Sequence, residues 1–243
     1  MLRNRVILVT GGATGIGFVI AQGLARQGAE LIVTGATQGQ IDDAVARLGY
    51  YATGVSADLS KVADVEALFS RVRASHGRLD VLVVTTGAQC DLPLGRITES
   101  AFDQMFNANV KAVTFTVQAA RSMMGDGGSI VIIGSQAPTD QGEGTSLCRA
   151  AKSALHSLIE EWTTDLREIG VRVNLLSASS ATAPIGSKNA TARGEHFFCT
   201  LENHWSFQLN GSQREIVGAA TFLASDTSRY LNGVELVTNR QKI

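Results

Sequence analysis

Three small groups of residues have the types and spacing for chemistry. The first is the glycine set Gly11, Gly15 and Gly17 within the segment RVILVTGGATGIG. A strand that passes through a glycine-rich turn into a helix can hold an anion. Backbone N–H groups and the positive end of the helix dipole then face the phosphate with no side chain between. In such a turn Gly11 allows the tight bend, Gly15 allows close approach of a pyrophosphate, and Gly17 lets helix pack on strand. The spacing alone is a weak signal. Lying between the apolar run Val6–Val9 and the helical pattern FVIAQGLARQG, it points to a dinucleotide. The second group is Ser135, just past the apolar run 130–133. The third is Cys148 with Lys152, four residues apart and so on one helix face. Asn109 lies inside a helical stretch, where asparagine has mediocre propensity; a local task or a plain surface position both fit.

These groups need a frame, and the rest of the chain supplies one. Apolar runs at 31–33, 81–84, 130–133 and 171–176 alternate with helical periodicity at 40–48, 62–72, 102–124 and 150–169. Several runs lack polar alternation, so both faces of those strands should be covered. The expected architecture is a single α/β, doubly wound, Rossmann-like domain over 1–243, with a parallel sheet flanked by helices. Ligands of such a sheet sit beyond the carboxyl ends of strands, at a topological switch point, and Ser135 falls at such an end. The long irregular stretch at about 179–211 is expected to act as a substrate loop. Its aromatic residues Phe197, Phe198, Trp205 and Phe207 either line an apolar pocket or anchor the loop. His196, Cys199 and His204 lie there too, without the fixed spacing of a metal site, and no metal is expected.

Bulk properties exclude several classes. The chain has 243 residues and a net charge of −1, which fits one domain with a large core and argues against a nucleic-acid partner. No apolar run is long enough to span a bilayer, and the apolar N-terminal stretch runs directly into the glycine motif. Cys90, Cys148 and Cys199 are three cysteines without paired spacing, as expected for reduced thiols in a cytoplasmic protein.

Across nearly its whole length the chain resembles the short-chain dehydrogenase/reductase family. The resemblance rests on Thr10-Gly-Gly-Ala-Thr-Gly-Ile-Gly17, Asp58-Leu59, Asp80-Val-Leu-Val83, Asn109-Val-Lys, Gly128-Ser-Ile-Val131 with Ser135, Ala151-Lys152-Ser-Ala-Leu155, Val171-Arg-Val-Asn174, Phe222-Leu-Ala-Ser225 and Leu231-Asn-Gly233. It implies hydride transfer between a nicotinamide ring and a carbonyl or alcohol. The family's catalytic Asn, Ser, Tyr and Lys would fall on Asn109, Ser135, Cys148 and Lys152. The phenol of that set gives or takes the substrate proton, the lysine lowers the phenol's pKa and holds the nicotinamide ribose, the serine binds the carbonyl oxygen, and the asparagine supports a water relay. Cofactor contacts would fall on Gly11, Thr14, Gly15, Ile16, Gly17, Thr34, Asp58, Leu59, Gly87 and Lys152, with Asp58 near the adenine amino group or capping the next helix, and Gly87 near the adenine ribose.

The chain departs from that pattern at the tyrosine. Cys148 is acidic enough for proton transfer, since a thiol titrates near ~8.5 and a phenol near ~10. Its sulfur stops at the γ position, short of where a phenol oxygen would be, and proton transfer needs contact at about 3 Å or one water. Three readings follow: water or the substrate takes the proton role; Cys148 is a thiolate nucleophile or redox-sensitive group; or the site is weak or inactive and the chain is a partner subunit. The family's Asn-Asn-Ala-Gly appears as Val84-Thr-Thr-Gly87, its Pro-Gly as Ala178-Ser179, and its Asp-Gly-Gly-like turn as Val237-Thr-Asn-Arg240.

The stretch Thr34-Gly35-Ala36-Thr37 offers no acidic residue to select NAD and no arginine for a 2′-phosphate. The hydroxyls of Thr34, Thr37 and Thr14 tilt the expectation within NAD(P) toward NADP. The expected function is therefore an NAD(P)-dependent oxidoreductase reducing a carbonyl or activated double bond of a small organic substrate. The alternatives are a cofactor-binding partner subunit of low or no activity, or a non-redox enzyme using the same pocket. The wide apolar stripe of 150–169, with Ala151, Leu155, Leu158, Ile159 and Trp162, agrees with the homodimer or homotetramer that the resemblance implies, or with a hetero-oligomer of related subunits.

Overall fold

A computed structural model describes residues 1–86, 92–135, 146–178 and 211–238, without the side chains of 135, 178, 211 and 212. The expected contributions of Gly87, Cys90 and nearly all of the 179–211 loop, including His196, Cys199 and His204, lie outside the described residues.

The order of elements is β1 (Val6–Val9), α1 (Gly15–Arg26), β2 (Glu30–Gly35), α2 (Gln38–Leu48), β3 (Ala52–Ser56), α3 (Val62–His76), β4 (Val81–Thr85), α4 (Glu99–Phe106), a π-helical turn (Asn107–Lys111), α5 (Ala112–Arg121), β5 (Ser129–Ser135), α6 (Ser146–Asp165), β6 (Arg172–Ala178), α7 (Gly211–Ala224) and β7 (Glu235–Thr238). Seven strands form one sheet in the order β3-β2-β1-β4-β5-β6-β7, every pair parallel. The expected doubly wound sheet is therefore present. The chain turns outward from β1 in one direction and from β4 in the other, so the switch point lies between β1 and β4.

Side-chain alternation explains why the strands look apolar throughout. Val6 and Leu8 of β1, Leu82 and Val84 of β4, and Ile130 and Ile132 of β5 enter one core with α3, α5 and α6. Ile7 and Val9, Val81 and Val83, and Val131 and Ile133 enter the other, with α1 and α7. Each buried Val, Leu or Ile contributes about 1.5–3 kcal/mol relative to exposure. This double burial fixes the register, because a one-residue slip would exchange the two cores.

Two sequence expectations are corrected here. The stretch 102–124 is not one α-helix: it is α4 and α5 joined by the π-helical turn, with Asn109 at its centre, and α5 ends at Arg121. The long helix expected from 150 begins at Ser146, so Cys148 lies inside its first turn.

Buried polar residues clamp the last third of the chain. The Arg172 guanidinium donates from Nη1 to the carbonyls of Ser228 (3.0 Å) and Leu231 (3.4 Å) and to Ser228 Oγ (3.1 Å). Its Nη2 donates to the carbonyls of Leu223 and Ser225, both at 3.3 Å. Asn174 and Asn232 add hydrogen bonds across β6 and the approach to β7. The bonds to Leu223 and Ser225 satisfy carbonyls at the end of α7 that the helix leaves without partners.

Candidate functional site

The carboxyl end of β1 leads into a turn shaped by glycine. Gly11 and Gly15 have φ of 61° and 58°, a region that side chains rarely adopt. A Cβ on Gly11 would lie 2.5 Å from Thr85 Oγ1, and one on Gly17 would strike the Gly11 carbonyl. Thr14 is the N-cap of α1 in extended conformation, yet its side chain makes no cap bond and is exposed. The first-turn amides of α1, at Gly15, Ile16 and Gly17, have no acceptor within the helix. This is a backbone cradle with the positive end of a helix behind it, and it fits a dinucleotide diphosphate.

Three threonines hold the cradle in place. The Thr34 hydroxyl accepts from Gly11 N at 3.0 Å, and Thr34 is only 2% exposed. The expectation that Thr34 meets a phosphate gives way to this buried supporting role. Thr10, at the end of β1, accepts from Thr85 N at 3.1 Å through its hydroxyl, while Thr85 Oγ1 donates to the Thr10 carbonyl at 2.8 Å. Thr86 reaches β5, donating from both N and Oγ1 to the Ile133 carbonyl. The substitution of Asn-Asn-Ala-Gly by Val84-Thr-Thr-Gly87 thus leaves the switch point tied across β1, β4 and β5. Sequence reasoning missed this role; the available signal was hydroxyl residues at the ends of two strands that flank a switch point.

On the cradle's other side, Asp58 is exposed and follows β3. Its carboxylate accepts from Ser60 N (3.1 Å) and Ser60 Oγ (2.6 Å), and pairs with Lys61 at 3.2 Å. The Ser60 hydrogen bond is the main cause that holds its pKa below the ordinary carboxylate value. The N-cap of α3 is Lys61, so the expected capping by Asp58 is replaced by a local turn. Leu59 is half-buried against the core beside α3. Thr37 caps α2, its hydroxyl accepting from Gln40 N at 3.4 Å.

Beyond β4 lies the chemical end. Ser135 is the last residue of β5, in register with Ala178 of β6. Asn109 is buried in the π-helical turn, where its Nδ2 donates to the Met105 carbonyl and approaches Met105 Sδ, both at 3.0 Å. Met105 packs in a small buried cluster with Leu147, Cys148 and Ala151. Asn109 and Cys148 thus both lie against Met105, across the contact between the π-helical turn and α6. Cys148 is a free thiol, 6% exposed.

Lys152 follows one helical turn later. Its Nζ is buried with no hydrogen-bond partner among the described residues. Burial pushes its pKa below the ordinary lysine value, while the neighbouring Cys148 thiol and the Glu235 carboxylate pull the other way. A buried ammonium with at most a weak thiol contact is costly, so this atom is suited to the hydroxyls of a bound ribose. Cradle and lysine together fit a nicotinamide dinucleotide. Among the described residues no cluster of His, Cys, Asp or Glu could hold a metal ion, and no helix is long and apolar enough to cross a membrane.

Comparison with known proteins places this site in context. Residues 11–240 match the family model described as enoyl-(acyl carrier protein) reductase. The chain is 33% identical over 237 residues to oxidoreductase asL5 of Sarocladium schorii, covering 97% of this chain and 94% of that protein. It is 33% identical over 242 residues to gluconate 5-dehydrogenase of Gluconobacter oxydans, covering 96% and 92%. Among solved structures it is similar to a short-chain dehydrogenase from Burkholderia cenocepacia in complex with NADP, with a TM-score of 0.82, 29% identity and 97% and 96% coverage.

Proposed function

The chain belongs to the short-chain dehydrogenase/reductase family and is an NAD(P)-dependent oxidoreductase of small molecules; on that premise we propose that it reduces a carbonyl or an activated double bond with Cys148 standing where the family has tyrosine. The observation that carries this reading is the buried Nζ of Lys152 beside Cys148.

The bound nicotinamide supplies the hydride. Gly11, Gly15, Ile16 and Gly17 hold the diphosphate on main chain, and the exposed Thr14 hydroxyl adds a donor. Lys152 holds the nicotinamide ribose. Asp58 and Leu59 would border the adenine, and Gly87, which lies outside the described residues, would take the adenine ribose. Ser135 donates to the substrate oxygen and stabilises the negative charge that develops there. Asn109 orders a water that exchanges protons with Lys152. Cys148 is too short to reach the substrate oxygen as a phenol would, so the final proton comes from water. An activated double bond suits this arrangement, because its enolate oxygen needs only a hydrogen bond from Ser135 before water protonates carbon. The description of the matching family model supports that preference. Within NAD(P), the absence of an acidic residue at Thr34–Thr37 supports NADP.

The reading includes a cytoplasmic homotetramer or homodimer built on α5 and α6, supported by the half-buried Leu158 on α6. The test is NADPH oxidation over a panel of ketones and enoyl thioesters. Turnover is expected for at least one class. Saturable binding without any turnover favours a second reading, a cofactor-binding partner subunit, for which the short buried side chain at Cys148 is the supporting observation.

A further inference from the structure

We propose that Glu235 is a positioning residue for the site, a counter-charge on β7 set against the α6 face that carries Lys152, with Ser177 and His156 fixing its carboxylate. The geometry comes from three elements. Leu175 of β6 faces the core covered by α6, and Glu235 is its register partner on β7. Strand alternation puts Ser177 on that same face. Ser177 is buried and donates through Oγ to Glu235 Oε1 at 2.5 Å. The other carboxylate oxygen, Oε2, lies 3.7 Å from His156 Nε2. His156 follows Lys152 by one helical turn, as Lys152 follows Cys148, so all three lie along one side of α6. Glu235 thereby stands with its negative charge against the same stripe of α6 that carries the ribose lysine.

Glu235 meets α6 at His156, one turn beyond Lys152, and Cys148 lies one turn before it; both favour the charged lysine against burial, Cys148 more strongly than Glu235. The π-helical turn against α6 brings the neutral Asn109, and its Lys111 is exposed to solvent. β6 contributes the neutral Ser177. The Glu235 charge therefore opposes the penalty that burial places on the ammonium. Both Glu235 and His156 are partly exposed, with side chains at 37% and 45%, so the effect is moderate and weakens in high salt.

The consequence for cofactor binding rests on Lys152 being the ribose lysine; the charge coupling itself does not. Trace acetylation of the full-length protein with acetic anhydride, read at Lys152 by peptide mass spectrometry from neutral to alkaline pH, gives the lysine's titration midpoint with no nucleotide present. Glu235→Gln keeps an acceptor for Ser177 but removes the charge, and is expected to lower the midpoint by about half to one pH unit. Glu235→Asp keeps the charge and is expected to stay nearer to the parent protein. If the Gln variant fails to fold, Glu235→Thr, with its strong strand preference, takes its place. Equal midpoints in the parent and charge-free variants overturn the proposal, as does an Asp variant shifted as far as the Gln variant. In NADPH titrations the loss of affinity at high pH should move down by the same increment in Glu235→Gln. If no variant or parent binds NADPH, the cofactor assignment fails while the labelling result still decides the coupling.

Discussion

At the mouth of β1 the chain presents backbone; at the start of α6 it presents side chains. The cradle is made from Gly11, Gly15 and Gly17, and hydroxyls of Thr10, Thr34 and Thr85 brace it from behind. Its chemistry is that of amides and a helix end, which every residue type supplies, so selection acts on what must be absent: a Cβ. The α6 end depends on what is present, a specific acid at a specific reach. There, on the proposed reading, Ser135, Asn109 and Lys152 serve the reaction and Cys148 stands where a tyrosine would. On the proposed reading, nucleotide binding and proton delivery are separable in one pocket: the first would be set by the shape of the main chain, the second by the length of one side chain.

Substitutions at either end sharpen or break this contrast. The largest effect is expected at the cradle. Gly17→Val drives carbon into the Gly11 carbonyl and should weaken NADPH binding by about 100-fold or more, ~2.7 kcal/mol, as read by fluorescence titration. Binding at the parent affinity would show that the diphosphate rests elsewhere. Next is Cys148→Tyr, which supplies a phenol at the expected reach and should raise carbonyl reduction by about 100-fold in steady-state assays. Because Cys148 is buried beside Met105 and Leu147, overpacking should cost about 1–3 kcal/mol of stability, visible as a lower melting temperature. A folded variant with no gain would place the divergence in more than this residue.

A smaller effect is expected at Lys152, which belongs to both halves of the contrast. Lys152→Met should weaken NADPH by about tenfold, the loss of one charged hydrogen bond. The pH dependence carries a sign. The folded-state pKa of Lys152 is depressed by burial, so between that value and about 10.4 the unfolded chain binds the additional proton. This lysine's contribution to stability therefore rises with pH through that window. Thermal melts of the nucleotide-free parent and Lys152→Met proteins should show the slope in the first and a flatter profile in the second; equal slopes would deny the burial. The smallest effect is at exposed Asp58. Asp58→Ala should weaken NADPH by about threefold, and a lower melting temperature with unchanged affinity would assign it to the Ser60 turn alone.

The residues that were legible in sequence are those whose meaning is local. Gly11, Gly15 and Gly17 sit within one strand–turn–helix unit, and the uninterrupted apolar strands announce a sheet covered on both faces. Thr34 shows where local reading stops: a hydroxyl near a phosphate site looks like a ligand, but tertiary packing turns it inward onto Gly11 N. The π-helical turn at Asn107–Lys111 was hidden for a related reason. The apolar periodicity of 102–124 continues through it, while the Asn109 side chain engages the Met105 carbonyl four residues earlier. Glu235 and Arg172 were silent because their partners lie far off in sequence: Ser177 is 58 and His156 is 79 residues from Glu235, and those of Arg172 are 51–59 residues away. An acidic residue on a C-terminal strand and an arginine in an apolar run gain meaning only when β6, β7 and α7 have come together.

The central claim is that bare main chain between β1 and α1 receives the diphosphate of a nicotinamide nucleotide. Its most direct measurement is a fluorescence titration of the full-length protein with NADPH and, in parallel, NADH. The account predicts saturable binding of at least one nucleotide, tighter for NADPH, with a dissociation constant between about 1 μM and 1 mM. Absence of saturation with both nucleotides would contradict it.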